Sequence, residues 1–285
     1  MVQWLSLEKL LGNLSLSIIS CTKNKQNITF MIIILVQYIL TMEIQTVTYC
    51  VAMKLKDGLI FASDTRTNAG MDHISTYRKL FYFKNEDREI VIQSAGNLAT
   101  TQSVIAKINQ NIKDNTDNNI LKIPTLFEIS QIVGTILRET IIESKSELID
   151  TSTLSCSLML GGYIANNEPE LYNIYSEGNF IIANEETPYF QIGENKYGKP
   201  IIDRIVNYTT DLENALKCTI ISFDSTIMSN LSVGLPIDLV VMNRKENKTT
   251  QIRVAKDNEF MLKIRKAWGQ LIKENFDKVP PFPLS

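Results

Sequence analysis

The sequence predicts an α+β fold: two antiparallel sheets packed face to face with helices outside, a four-layer α-β-β-α sandwich. Three observations carry this. Strand-like runs of period 2 come in blocks, first over residues 48–93 and again from residue 154. Helical runs, with apolar residues three and four positions apart, form separate blocks between and after them. Short turns rich in Gly, Asn and Asp join successive strands, which favours antiparallel neighbours.

The elements follow in order. Residues 48–53 alternate, with Thr48, Cys50 and Ala52 on one face and Tyr49, Val51 and Met53 on the other. Asp57-Gly58 is a two-residue hairpin signal, because a type I′ turn needs positive φ at both central residues. Residues 59–63 then run back as a second strand. A loop containing Asn68-Ala69-Gly70 leads through Arg78-Lys79 to a third strand, 80–83. Asn85-Glu86-Asp87-Arg88 turns the chain into a fourth, 89–93. After Ser94-Ala95-Gly96-Asn97, one helix is marked by Val104, Ile105, Ile108 and Ile112, and residues 109–119 read as a polar linker. Thr125-Leu126-Phe127-Glu128 is a capping box that opens a second helix carrying Ile129, Ile132, Val133, Ile136 and Leu137.

In the second half, residues 154–163 form a strand ending in Gly161-Gly162, and 171–175 alternate. Glu177-Gly178-Asn179 turns them into 180–183. Gln191-Ile192-Gly193-Glu194 precedes Lys199-Pro200, a helix start, and a helical run covers 211–223. Residues 229–234 lead into a strand at 237–242, a Lys/Asn-rich turn and a final strand at 251–255. A last amphipathic helix carries Phe260, Ile264, Trp268, Leu271 and Ile272, ridges that read as core rather than as a cofactor box. Pro280-Pro281-Phe282-Pro283 keeps the tail non-helical. No repeat or low-complexity linker divides 48–285, so one domain is expected there.

The first hairpin returns Asp64 toward Thr48, and Lys79 opens the next strand. A hydroxyl, a carboxylate and an amine can therefore converge at one end of a sheet. A threonine hydroxyl is a poor nucleophile and needs an adjacent base. If Thr48 begins the mature chain, its own α-amine, with an unperturbed pKa of roughly 7.7–8.0, can take the proton. A Lys79 ammonium would favour the free amine and the forming alkoxide, and Asp64 would fix and neutralise the lysine. On spacing alone, an ordinary hairpin with a polar end accounts for the pattern equally well.

Thr48, Asp64 and Lys79 resemble the catalytic threonine, aspartate and lysine of proteasome β subunits, which are N-terminal-nucleophile hydrolases. T-Y-C-V at 48–51, S-D-T-R-T-N-A-G at 63–70 and S-T-Y-R-K at 75–79 more closely resemble the bacterial proteasome-type proteases called Anbu (ancestral β subunit). Y-N-I-Y-S-E-G-N-F at 172–180 is similar to a strand–turn–strand of β subunits, and the likeness runs from about Thr48 to the C-terminal helix. The resemblance implies the same four-layer fold and a threonine-type endopeptidase. Thr48 would attack the scissile carbonyl, with its α-amine as general base and Lys79 and Asp64 tuning the pair. Gly96 matches the glycine whose backbone N–H forms the oxyanion hole, although glycine at a strand-to-helix turn is by itself more often simple geometry. The resemblance also implies a homo-oligomer, ring or open spiral, acting on peptide or unfolded protein, with no metal or organic cofactor. It weakens at the supporting positions. Where β subunits have a serine after the glycine matching Gly193, this chain has Glu194. Their Asp-x-x-Ser falls on Ser229 and Ser232, with Asp224 upstream as the candidate replacement for the aspartate. Two other readings stay open: an amidase acting on small amides through the same nucleophile, and a non-catalytic assembly protein in which Thr48 never becomes N-terminal.

Residues 28–40 are strongly apolar but shorter than the ~20 residues a spanning helix needs. Lys23 and Lys25 precede them, and no A-x-A-like cleavage site follows. A propeptide, a membrane anchor and translation from upstream of the true start compete as explanations. The last is favoured, because Val47 directly precedes Thr48 and a GUG codon can initiate with methionine. In a propeptide, Val47 would stand where proteasome propeptides typically have glycine, and its β-branched side chain would hinder attack on the preceding carbonyl. Residues 1–47 are thus expected to be an extension outside the fold, and 48–285 the peptidase domain.

Composition fits a cytoplasmic enzyme. The 285 residues are 44% hydrophobic and 21% charged, with a net charge of −2, which gives no reason to invoke nucleic acid or an anionic membrane as partner. Cys21, Cys50, Cys156 and Cys218 form no C-x-x-C pair and read as reduced thiols, with Cys50 a packed small residue near Thr48. His73, the only histidine, sits beside Asp72 in a polar loop and reads as solvated, leaving little scope for imidazole chemistry. No metal-ligand pattern is visible.

Overall fold

A computed structural model describes residues 48–68, 74–145 and 151–283. The expectations for residues 1–47 and for His73 and its neighbours lie outside the described residues. The described residues open with β1 (Tyr49–Leu55), β2 (Gly58–Asp64), a short pair β3 (Arg66–Asn68) and β4 (Ile74–Thr76), then β5 (Leu80–Lys84) and β6 (Arg88–Gly96). Two helices follow, α1 (Leu98–Lys113) and α2 (Leu126–Glu143). Next come a 3-10 turn at Thr151–Leu154, β7 (Cys156–Ile164), β8 (Glu170–Ile174), β9 (Phe180–Ile182) and β10 (Tyr189–Gly193). The chain finishes with α3 (Lys199–Ile205), α4 (Leu212–Ser229), β11 (Ile237–Asn243), β12 (Lys248–Val254) and α5 (Glu259–Phe276).

The strands form two five-stranded sheets, ordered β10-β1-β2-β11-β12 and β5-β6-β7-β8-β9, with every pairing antiparallel. Side-chain alternation explains the layering. Tyr49, Val51 and Met53 face Ala215, Phe223 and Met261 of the helices that cover the first sheet. Cys50, Ala52 and Phe61 face Val91, Ala95 and Met159 of the second sheet. On that sheet's other side, Ile90 and Ile92 pack with Val104, Ile108, Ile129 and Val133 of α1 and α2. Three apolar layers thus lie between four structural ones, the α-β-β-α sandwich that the strand and helix blocks predict.

Several boundaries differ from the sequence reading. The expected linker at 109–119 begins with the last turn of α1, whose asparagines sit on its exposed side while Ile112 extends the packed stripe. The expected loop after β2 contains the β3–β4 pair. The sequence reading did not identify strand β10, yet its Phe190 and Ile192 are buried against the second sheet. The final strand begins at Lys248 instead of 251, and α4 runs to Ser229 instead of 223.

The reading of the last helix is corrected. Phe260, Leu271 and Ile272 are 58%, 52% and 49% exposed, and α5 is seated chiefly through buried Met261 and partly buried Ile264. Periodicity shows which residues share a face, not what lies opposite that face. Among the described residues, no helix is long and apolar enough to cross a membrane.

Candidate active site

Register places the polar groups. Cys50 pairs with Ser63 across the first hairpin, so Asp64, the last residue of β2, comes beside the start of β1. Asp64 is fully buried, and its Oδ1 accepts from Lys79 Nζ at 2.7 Å and from the Tyr49 N–H at 3.1 Å. Its Oδ2 accepts from the Gly234 N–H at 3.4 Å. Lys79 also donates to the Arg66 carbonyl at 2.6 Å. Thr48, 4% exposed, immediately precedes β1 and therefore adjoins the Tyr49–Asp64 contact. Lys79 and Asp64 thus meet at the end of the sandwich where Thr48 precedes β1.

Burial holds the Asp64 carboxyl above the ordinary carboxylate range, an effect that the Lys79 ammonium and the Tyr49 and Gly234 N–H groups only partly offset. A buried pair of this kind loses heavily if one partner is removed, because the other charge is left uncompensated. Cys50 stands apart chemically. It is fully buried, its thiol donates to the Ser94 carbonyl at 3.5 Å, and burial followed by the Asp64 charge pushes its pKa well above the usual thiol value. It remains a thiol at neutral pH and is no rival nucleophile.

Thr48 is held from its carbonyl side. The N–H of Glu194 donates to the Thr48 carbonyl at 2.6 Å. Gly193 makes that approach feasible: its φ is +84°, and a Cβ there would stand 1.9 Å from the Thr48 oxygen. The Glu194 carboxylate accepts from the Lys196 N–H and from Asn230 Nδ2, each at 2.9 Å. Asn230 Oδ1 in turn accepts from the Ser232 N–H at 2.9 Å, and the Leu231 carbonyl accepts from Arg66 Nη1 at 2.6 Å. Hydrogen bonds and chain links thus run from Thr48 through Glu194, Asn230, Arg66, Lys79 and Asp64 back to Tyr49.

Asn230 and Arg66 escaped the sequence reading. Arg66 lay inside the quoted S-D-T-R run, and Asn230 could have been noticed as a polar cap after a helix. Of the supporting candidates, Glu194 and Ser232 join this circuit, while Ser229 is exposed at the end of α4. Asp224 is directed elsewhere: its Oδ1 accepts from Arg265 Nε of α5 at 2.6 Å. Buried Ser222 faces the first sheet through its contact with Tyr49, and two residues further on the helix has turned about 200°.

Gly96 ends β6 with φ +116°, and a Cβ there would lie 2.4 Å from the Ser155 carbonyl oxygen. The neighbouring strand thus requires glycine at this position whether or not catalysis does. Gly96 lies two residues beyond Ser94, whose carbonyl meets Cys50, so it belongs to the same end of the sandwich as Thr48. Among the described residues, no group of three or more His, Cys, Asp and Glu side chains is placed to hold a metal ion.

Comparison with known proteins agrees with this geometry. The family described as proteasome subunit matches residues 44–242. The structure of Anbu from Yersinia bercovieri superposes with a TM-score of 0.78 at 46% identity, covering 83% of this chain and 100% of that one. The helical assembly of the Anbu complex from Pseudomonas aeruginosa gives 0.78 at 47%, covering 83% and 99%. Anbu from Hyphomicrobium sp. strain MC1 gives 0.76 at 40%, covering 83% and 100%. A comparison with curated proteins gives no match. A threonine, a buried lysine–aspartate pair and a two-sheet sandwich thus coincide with this likeness over most of the sequence, and the chain belongs to the proteasome subunit family, among its Anbu (ancestral β-subunit) members.

Proposed function

We propose that this protein is a threonine-type endopeptidase that acts once residues 1–47 no longer precede Thr48. The observation that carries the reading is the buried Lys79–Asp64 pair, 2.7 Å apart, at the strand end where Thr48 begins. In this reading the Lys79 ammonium acts on the Thr48 hydroxyl and, after release of the extension, on its amine. The Thr48 hydroxyl proton passes to the α-amine while Oγ attacks the scissile carbonyl. The Gly96 N–H stabilises the oxyanion, the new ammonium protonates the departing amine, and water then hydrolyses the ester. Glu194 and Ser232 hold the surrounding loop, and no metal or organic cofactor enters any step.

The substrate class is peptide or unfolded protein, and the working form is a cytoplasmic homo-oligomer. The helical assembly of the Pseudomonas aeruginosa relative supports self-association here, in ring or open-spiral form. The test is covalent labelling by a peptide electrophile that must react with both the hydroxyl and the free amine of a terminal threonine. Stoichiometric labelling of the form beginning at Thr48, lost in Thr48→Ala, is the expected result. Equal labelling of Thr48→Ala would refute the assignment of the nucleophile.

A further inference from the structure

A cavity of about 430 Å³ opens on the flank of the sandwich between β5, α1 and the strands β11 and β12. Its size falls within the roughly 300–1,000 Å³ of ligand sites. What makes it specific is the edge beside it. Among the described residues, β5 is the outermost strand of its sheet and pairs with β6 alone. The Ser94 N–H donates to the Lys79 carbonyl, and Phe81 and Phe83 stand opposite Ile92 and Ile90. In an antiparallel ladder, bonded and non-bonded pairs alternate, so Lys79, Phe81 and Phe83 turn their backbone groups toward β6. Leu80 and Tyr82 therefore turn theirs outward along the flank. Among the described residues, nothing pairs with those outward groups. An open edge of this kind is a template for one more strand.

Charge selects what that strand would carry. The cavity is lined by two arginines, Arg78 and Arg253, against one carboxylate, Asp238. Asp238 Oδ1 is engaged by Arg253 Nη1 at 3.2 Å. Arg78 is exposed and makes no hydrogen bond or close ion pair with a described residue; its charge, like that of Arg253, acts on Asp238, so two guanidinium groups face one carboxylate and one positive charge is in excess at the mouth. Apolar groups of Phe81, Phe83 and Ile105 offer room for alternate side chains of an extended segment.

We propose that this flank is a docking cleft for an extended, acidic peptide segment, which adds to β5 as a sixth strand and sets a carboxylate on Arg78. The site is joined to the catalytic frame by covalent neighbours. Arg78 precedes Lys79, and Asp238 follows Ile237, the residue paired with Asp64. An occupant would thus stiffen the strands that hold the lysine–aspartate pair. Nothing in the proposal depends on hydrolysis, so it stands or falls separately from the peptidase reading.

The test measures fluorescence anisotropy of a fluorescein-labelled hexapeptide of alternating valine and glutamate, added to the Thr48→Ala chain so that cleavage cannot intervene. Three companions locate the contacts: the same peptide with lysine for glutamate, one N-methylated at alternate residues, and the chain variants Arg78→Gln and Arg253→Gln. Arg253 lies on β12, the outermost strand of the other sheet, and so probes the cleft through a residue outside the Thr48, Asp64 and Lys79 group. Saturable binding is expected, weakened about tenfold or more by each change of peptide and by Arg78→Gln, and measurably by Arg253→Gln. Absence of binding would overturn the proposal. So would equal affinity for the lysine or N-methylated peptide, indifference to both arginine variants, or a cleft closed by a second copy that excludes the probe.

Discussion

In the proposed mechanism Lys79 works through position as much as charge, because its ammonium fits between the Asp64 carboxylate and the Arg66 carbonyl. Lys79→Ala is expected to reduce turnover of the form beginning at Thr48 by about 100-fold or more, with the substrate's KM changed far less. Lys79→Arg should not restore it, since a planar guanidinium cannot occupy the same gap. Near-normal turnover in Lys79→Arg would show that any nearby positive charge suffices. The Glu194–Asn230 contact offers a second test through reversal. Asn230→Asp sets two carboxylates face to face and should slow turnover by about tenfold, whereas Asn230→Asp with Glu194→Gln rebuilds a carboxylate–amide pair and should recover most of the loss. Failure of the double variant to recover would mean that Asn230 acts in some other way. Cys50 supplies a control in pH. Because its folded pKa is raised, its thiolate fraction stays negligible through the usual thiol range of about pH 8–9. Alkylation of the folded protein at Cys50 should therefore not accelerate between pH 7 and 9, as monitored by peptide mass. Asp64 and Lys79 were legible in the sequence because one hairpin and one strand start bring them together. Asn230 was not, since its partner Glu194 follows the distant strand β10 and only the fold joins them.

Among elements, β10 and α4 show why local pattern gives existence more readily than role. Strand β10 is short and weakly patterned, yet it pairs with β1 from Tyr49↔Gly193 onward and so fixes the backbone of Thr48. Gly193→Ala would force a side chain into a left-handed conformation and into the Thr48 carbonyl, for a loss of about 1–3 kcal/mol. The expected signature is a lower denaturation midpoint together with slower Thr48 labelling in the molecules that remain folded. Asp224 separates catalysis from scaffolding. Its partner Arg265 is 40% exposed, so Asp224→Ala should remove only about 1 kcal/mol, seen as a modest fall in Tm. Turnover per folded molecule should be unchanged. A selective fall in turnover at constant Tm would return Asp224 to the catalytic group. The sequence reading ended this helical run at 223, one residue short of Asp224, and so could not say that residue 224 faces α5 rather than the site.

For the whole molecule, strand and helix blocks were enough to foresee two sheets between helical layers, because both faces of the strands are apolar and each needs cover. They could not foresee the exposed ridge of α5, including Phe276 at 71%, since surface covered by another chain and surface open to solvent have the same sequence pattern. The central claim is that chemistry begins with a free amine at Thr48. In an amide that nitrogen has no basic lone pair, so it cannot accept the hydroxyl proton. The most direct measurement is hydrolysis of a peptide amide by the form beginning at Thr48 and by the full 285-residue chain, with intact mass recorded for each sample. The account predicts turnover by the first and none by the second until mass shows residues 1–47 removed. Full turnover by a preparation whose mass still includes them would contradict it.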